Sequence, residues 1–389
     1  MLDEALRKQI SAGEGLGLIR DRKAQTARPW TGSVSVVSAD SHLPLTEDIW
    51  HERFPSRLRD KAPRVWWDET TGIYQLGAAF KPMFPPSAHG LIRSMEELPG
   101  AHDLDARIMD LDAEGIAKEI VYPQVLPIFF HYPDFEVRKL IFDIYNLYVA
   151  DVQKRYAGRI YPVAIPTFWD PDQAPHSVRE IAKLGLKTIL LPMLPGKKKD
   201  GGNVVYNSAE YDPMFAAIEE TGLPISFHIG EKFDNEGING EGARLMCDIG
   251  PSNFRKNLGQ FIFGLIFDKF PKLKVVFAES GISWVAPALQ DAEMLYNSHG
   301  LLFDSLPRHR PSHYWHEHCY ATFMADPAGL RLLDIIGVDR VMWSVDYPHH
   351  EGTFGYSQDA IGDIVRAVGA DDAELIVGKT CASVYRLDD

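Results

Sequence analysis

The sequence predicts an α/β fold: a (β/α)8 TIM barrel with an N-terminal arm and a long loop insertion after its first strand. Three observations predict it. Short apolar, β-branched runs alternate with helical stretches of roughly 10 to 20 residues, the pattern of a parallel sheet buried on both faces. Eight such units fit into the 389 residues, which favours a closed barrel over a doubly wound sheet. No glycine-rich GxGxxG or GxxxxGKS/T turn follows any strand, so no nucleotide cofactor is expected.

Taken in order, residues 1–33 are the arm, with weak helical spacing at Leu2, Ala5, Leu6 and Ile10. The barrel domain is expected over residues 34–389, and its first strand lies in Ser33–Ala39, ending at Asp40-Ser41-His42. Residues 44–100 form the insertion, read as irregular and rich in Pro, Trp and Phe (Trp66, Trp67, Phe80, Phe84, Pro85, Pro86). Loops of that length in a compact domain are usually lids or functional insertions. Asp103–Glu114 has helical spacing at Leu104, Ile108 and Leu111, and Gly115 stops it. The remaining strands are expected at Ile120–Tyr122, Tyr161–Ile165, Leu186–Leu191, Pro224–Ile229, Lys274–Ala278, Cys319–Thr322 and Arg340–Val345. The helices that follow them are Phe135–Tyr156, Ala174–Leu184, Asp212–Glu220, Asn253–Phe270, Ser283–Asn297, Pro327–Ile336 and Gln358–Val368.

Composition narrows the function classes. The formal net charge of -14 argues against nucleic acid or an anionic membrane surface as partner. No apolar run approaches the roughly 20 residues that span a bilayer. The N-terminus mixes acids and bases without an apolar segment, so a cytoplasmic protein is expected. Cys247, Cys319 and Cys381 are scattered without CxxC spacing, which leaves no disulfide framework and no thiolate metal site. The partners expected are a small-molecule substrate and, through the arm, other subunits in a homo- or hetero-oligomer.

Polar residues at strand C-terminal ends converge on one face of a barrel. Here those ends carry Asp40 and His42, His228 in P-I-S-F-H-I-G-E, Glu279 in V-V-F-A-E-S-G, and Asp346 in V-M-W-S-V-D-Y-P-H-H-E-G. Each has an ordinary alternative: Asp346 as a turn cap, His228 as a core histidine, Glu279 paired with an arginine such as Arg244. Two imidazoles and three carboxylates at one mouth instead suit a divalent cation, Zn²⁺, Mn²⁺ or Fe²⁺, with positions open to water or substrate. Asp346 and Glu279 are then the candidate proton-transfer groups, with His349 beside them. His350, Trp284 and Phe84 are the candidate substrate contacts, aromatic surface favouring an apolar or aromatic ligand.

The stretches S-A-D-S-H-L-P-L-T-E-D-I-W, F-H-I-G-E, V-F-A-E-S-G-I-S-W and W-S-V-D-Y-P-H-H-E-G resemble the amidohydrolase superfamily. The branch they resemble most includes aminocarboxymuconate-semialdehyde decarboxylase and the resorcylate decarboxylases. The resemblance implies metal ligation by Asp40 and His42 at the first strand and by His228 at the fifth. It also implies that Asp346 both binds metal and shuttles a proton. Glu279 stands where the decarboxylases commonly carry histidine, and no lysine closes strand four at Leu190-Leu191-Pro192, so a carbamylated-lysine centre is not expected. The expected activity is therefore metal-dependent hydrolysis of a small carboxylated, cyclic or aromatic compound by a metal-activated water. The alternatives are a non-oxidative decarboxylase and a dinuclear non-haem iron or manganese oxygenase.

Overall fold

The computed structural model describes residues 23, 30, 32–78, 81–84, 86–231, 240, 243 and 252–387. Nearly all of the arm, together with Phe80, Pro85, Arg244 and Cys247, lies outside the described residues.

The first barrel strand is made of two short pieces, β1 (Val37–Ser38) and β2 (His42–Leu43), separated by Asp40-Ser41. The insertion follows, and it is not irregular. It contains an antiparallel sheet of β3 (Pro63–Asp68), β4 (Ile73–Ala78) and β5 (Lys81–Pro82), then a helix over His89–Glu96. Local chemistry explains the hairpin. Asp68 accepts from Thr70 N at 2.9 Å and Thr71 Oγ1 at 2.9 Å, and Gly72 takes the left-handed φ of 64° that closes the turn. Trp66 pairs with Gln75 and Trp67 with Tyr74, so these two aromatics, read as part of a lid, are strand residues.

The other seven barrel strands run β6 (Lys118–Pro123), β7 (Ile160–Pro162), β8 (Ile189–Leu190), β9 (Ile225–His228), β10 (Val275–Ala278), β11 (Cys319–Phe323) and β12 (Val341–Trp343). All pair in parallel with their neighbours, and a bridge between Ala164 and Ile189 joins β7 to β8. The ring closes between last and first strands, where Ala39 N donates to Trp343 O and Asp346 N donates to Asp40 O, both at 3.0 Å. All of these barrel-strand residues except Lys118 are buried, because helices cover the outer face.

Helix boundaries follow capping chemistry. Asp134 accepts from Glu136 N and Val137 N at the start of Phe135–Arg155, and Asp103 accepts from Asp105 N at the start of Leu104–Glu114. Gly115 and Gly222 end Leu104–Glu114 and Asp212–Thr221 in the left-handed region. The stretch expected as one helix over Asn253–Phe270 divides into Ser252–Phe263 and Ile266–Lys269, with Leu265 left-handed between them. Beyond the last expected helix, Thr380–Tyr385 closes the base of the barrel. Leu387 O accepts from Tyr161 Oη at 3.2 Å and Lys118 Nζ at 3.3 Å, and Arg386 O accepts from Lys187 Nζ at 3.1 Å. No helix among the described residues is long and apolar enough to cross a membrane.

The insertion is tied to the barrel by Trp50, fully buried, whose indole N–H donates to Ile141 O at 3.0 Å. Trp50→Ala removes that bond and leaves a large void, so unfolding free energy should fall by about 3–5 kcal/mol in urea titration. A loss below about 1 kcal/mol would show that this anchor contributes little to the fold.

Candidate metal centre

Two of the three carboxylates at the barrel mouth stand on strained backbone. Glu279 has φ 52° and Asp346 has φ 53°, the left-handed region that costs an L-residue roughly 1 kcal/mol. Neighbouring groups hold both there. Glu279 N donates to Thr322 Oγ1 at 2.8 Å, while Asp346 N is fixed by Asp40 O. Ser38 Oγ donates to Asp40 O at 2.7 Å and accepts from Val345 N at 2.9 Å, so the two strand ends share one hydroxyl.

The side chains so placed converge. His42 Nε2 lies 3.2 Å from Asp346 Oδ1, 3.5 Å from Glu279 Oε2 and 3.9 Å from Asp40 Oδ1. His228 Nε2 lies 3.2 Å from Glu279 Oε2 and 3.4 Å from Asp40 Oδ1. Donor atoms of Asp40, His42 and His228 all fall within 4.8 Å of one another, as do those of His42, Glu279, Asp346 and His349. Asp40 Oδ1, His42 Nε2, His228 Nε2 and both Asp346 oxygens are buried and make no hydrogen bond among the described residues. Buried polar atoms without hydrogen bonds are costly, and a cation held by either group would satisfy those of that group. Mixed imidazole and carboxylate donors fit a divalent first-row ion.

Charge states agree with that fit. Burial and the charge of Asp346 hold the Glu279 carboxyl well above its usual range. Burial, His349 and His228 hold His42 well below the usual imidazole value, leaving it neutral with a lone pair to give. Burial opposes the charged form of His228, but Asp40 and Glu279 outweigh it and push the group up to about 9. The His228 Nδ1–H donates to Ile229 O at 2.6 Å, which aims Nε2 at the carboxylates, where a cation would replace a proton.

A profile of the Amidohydrolase family matches residues 134–387. The chain belongs to the amidohydrolase family. Similar solved structures agree on the fold. An amidohydrolase of Mycobacterium avium subsp. paratuberculosis K-10 is 18% identical with a TM-score of 0.70, over 91% of this chain and 99% of that one. The 2,6-dihydroxybenzoate decarboxylase of Rhizobium is 16% identical with a TM-score of 0.65, over 92% of this chain and all (100%) of the other. The 5-carboxyvanillate decarboxylase of Novosphingobium aromaticivorans, complexed with manganese, is 19% identical with a TM-score of 0.64, over 94% of this chain and 99% of that one.

The five residues expected at strand ends, Asp40, His42, His228, Glu279 and Asp346, do come together. His349 joins them: its ring stacks on His42 at 3.9 Å and its Nδ1 is 3.1 Å from Asp346 Oδ1. Burial works against its charge, but Asp346 outweighs that and pushes it up to about 10. His350 faces the insertion instead, with Nε2 2.6 Å from Ser94 Oγ on the His89–Glu96 helix. Trp284 does not face the cluster. As the residue before the Val285–His299 helix it turns outward, packing on Phe254, Phe277 and Trp315. Phe84 is half-buried against the core, its carbonyl 3.4 Å from His89 Nε2.

Three residues here went unread in the sequence. Gln124, just past β6, bonds through Nε2 to His349 Nε2 at 2.8 Å. Thr322 donates to Asp40 Oδ2 at 3.3 Å while accepting from Glu279 N. The Tyr122 ring lies 4.6 Å from that of His228, its hydroxyl donating to Ser226 Oγ at 2.9 Å. All three stand on or beside barrel strands, so the strand-end rule applied to uncharged residues finds two of them.

Glu279→Gln removes one of three crowded acids and keeps the side chain's size. Stripped of metal with chelator, this variant should melt above wild type at pH 7, and the order should reverse when divalent metal is restored. A metal-free variant melting below wild type would show that the acid is not repelled.

Proposed function

We propose that this member of the amidohydrolase family releases CO2, without oxidation, from a small aromatic or cyclic carboxylate, using a divalent cation held at the barrel mouth. The supporting observation is the buried convergence of Asp40, His42, His228 and Asp346 on atoms that lack hydrogen bonds. Hydrolysis, the leading expectation from sequence, draws less support, because decarboxylases recur among the chains of similar fold. A cation in the cluster would supply Lewis acidity and orient substrate oxygens.

The chain's own residues would manage the proton. Asp346 delivers it to the carbon bearing the carboxylate; the carbon–carbon bond then breaks and its electron pair returns to the ring. One proton enters and one CO2 leaves, so no oxidant is needed. His349, 3.1 Å from Asp346, resupplies the proton, and Gln124 steadies the far side of that imidazole. Tyr122 and the barrel interior beneath keep the floor of the site dry.

Glu279 favours a second reading. It adds a third carboxylate, and the donors form two groups that share His42. Two iron or manganese ions held this way would suit oxygen activation. Metal content separates the readings: one cation per chain supports decarboxylation, whereas two, with oxygen uptake, supports the second.

Protein loaded with Mn²⁺ or Zn²⁺ and given hydroxylated aromatic carboxylates should release CO2 and the decarboxylated ring, seen by chromatography. Asp346→Asn should slow this by about 10²–10⁴-fold. Turnover of amides or esters without CO2 from any carboxylate would return the assignment to hydrolysis.

A further inference from the structure

Arg107 lies on the Leu104–Glu114 helix, outside the residues matched by the family profile, and its side chain is fully buried. Its Nε donates to Glu119 Oε1 at 2.6 Å and its Nη2 to Oε2 at 2.8 Å, a bidentate pair with no solvent exposure. The guanidinium does more than pair. Nη1 donates to His42 O at 2.8 Å and Nη2 to Tyr347 O at 3.3 Å. One carbonyl belongs to a cluster residue; the other follows Asp346 directly. His42 N also donates to Tyr347 O, at 2.7 Å, so these contacts lie on the seam where first and last strands meet.

Further contacts hold the same turn. The Arg107 guanidinium sits over the Tyr347 ring at 4.7 Å, and Tyr347 Oη donates to Asp110 Oδ2 at 2.7 Å. Arg107 and Asp110 are three residues apart on the helix, hence on one face of it. A Cβ at Gly100 would collide with Tyr347 Oη and the Arg107 backbone, so the packing leaves the turn no slack.

We propose that Arg107 is a positioning residue: with Glu119 neutralising it, it locks the ends of the first and last barrel strands and so holds His42, which belongs to both donor groups, and Asp346 where they can bind a cation. Because a cation needs its donors held within tenths of an ångström, fixing the carbonyls behind two of them sets metal affinity. A merely structural ion pair makes a different forecast. Buried pairs can often be replaced by apolar residues of similar size without loss of stability.

The test uses the full chain and reads Mn²⁺ affinity by competition with a chelator, beside circular dichroism and melting of the metal-free protein. Arg107→Lys keeps the charge but not the planar fork. Arg107→Met combined with Glu119→Leu removes the pair without stranding a charge. Both should keep the wild-type dichroism spectrum and lose about 10- to 100-fold in Mn²⁺ affinity. A folded double variant that binds Mn²⁺ as tightly as wild type would overturn the proposal. Should both variants fail to fold, Arg107→Gln combined with Glu119→Gln, which keeps buried polar groups of similar length but has neither charge nor fork, decides: weaker Mn²⁺ binding by the folded protein supports the clamp and unchanged binding overturns it. The inference rests on reading the cluster as a cation site. Wild type that binds neither Mn²⁺ nor Zn²⁺ would overturn that reading and this one together, whereas binding unaltered by the variants overturns this one alone.

Discussion

Three carboxylates buried at one mouth cannot all be ionised without a counter-charge, and the architecture around them answers that constraint. Donor atoms of Glu279 and Asp346 lie within 4.8 Å of each other. Two unit charges that close repel by about 3–4 kcal/mol at an effective dielectric near 20. The buried imidazoles of His228 and His349 offset part of this, and burial with the charge of Asp346 still holds the Glu279 carboxyl well above its usual range. The left-handed backbone at Glu279 and Asp346 adds to the cost, so the fold must restrain both strand ends from several sides. The Ser38 hydroxyl, the Thr322 hydroxyl and the closing hydrogen bonds between first and last strands supply that restraint.

The barrel itself was legible because parallel strands covered by helices must be apolar end to end, and each such run stops abruptly. The same abruptness exposed the donors. His228 closes I-S-F-H, and Glu279 comes directly after V-V-F-A; a polar side chain in either place has nowhere to point but the mouth. His349 was legible from its closeness in sequence to Asp346, although its stacking on His42 was not.

What stayed hidden depends on tertiary context. Trp284 is near Glu279 along the chain, but the turn into the following helix sends its ring to the outside of the barrel wall. Arg107 stands in L-D-A-R-I-M-D, which reads as an ordinary charged helix face; only the fold shows that this face is turned inward. The antiparallel sheet of the insertion was masked by its many prolines and aromatics, which resemble irregular chain until Asp68 and Gly72 are seen as a turn. The base-closing segment after residue 369 carried no strand-helix rhythm to flag it.

The seam between first and last strands has a consequence for how the protein comes into being. Asp40 and Asp346 meet across it, yet more than three hundred positions of chain separate them. Contacts so distant along the sequence form late, because loop entropy must be overcome first. During synthesis more than three hundred residues beyond Asp40 must therefore emerge before the acidic cluster can be complete. Until then the early strands carry only part of the proposed donor set, and uptake of a cation there would report that the barrel has closed.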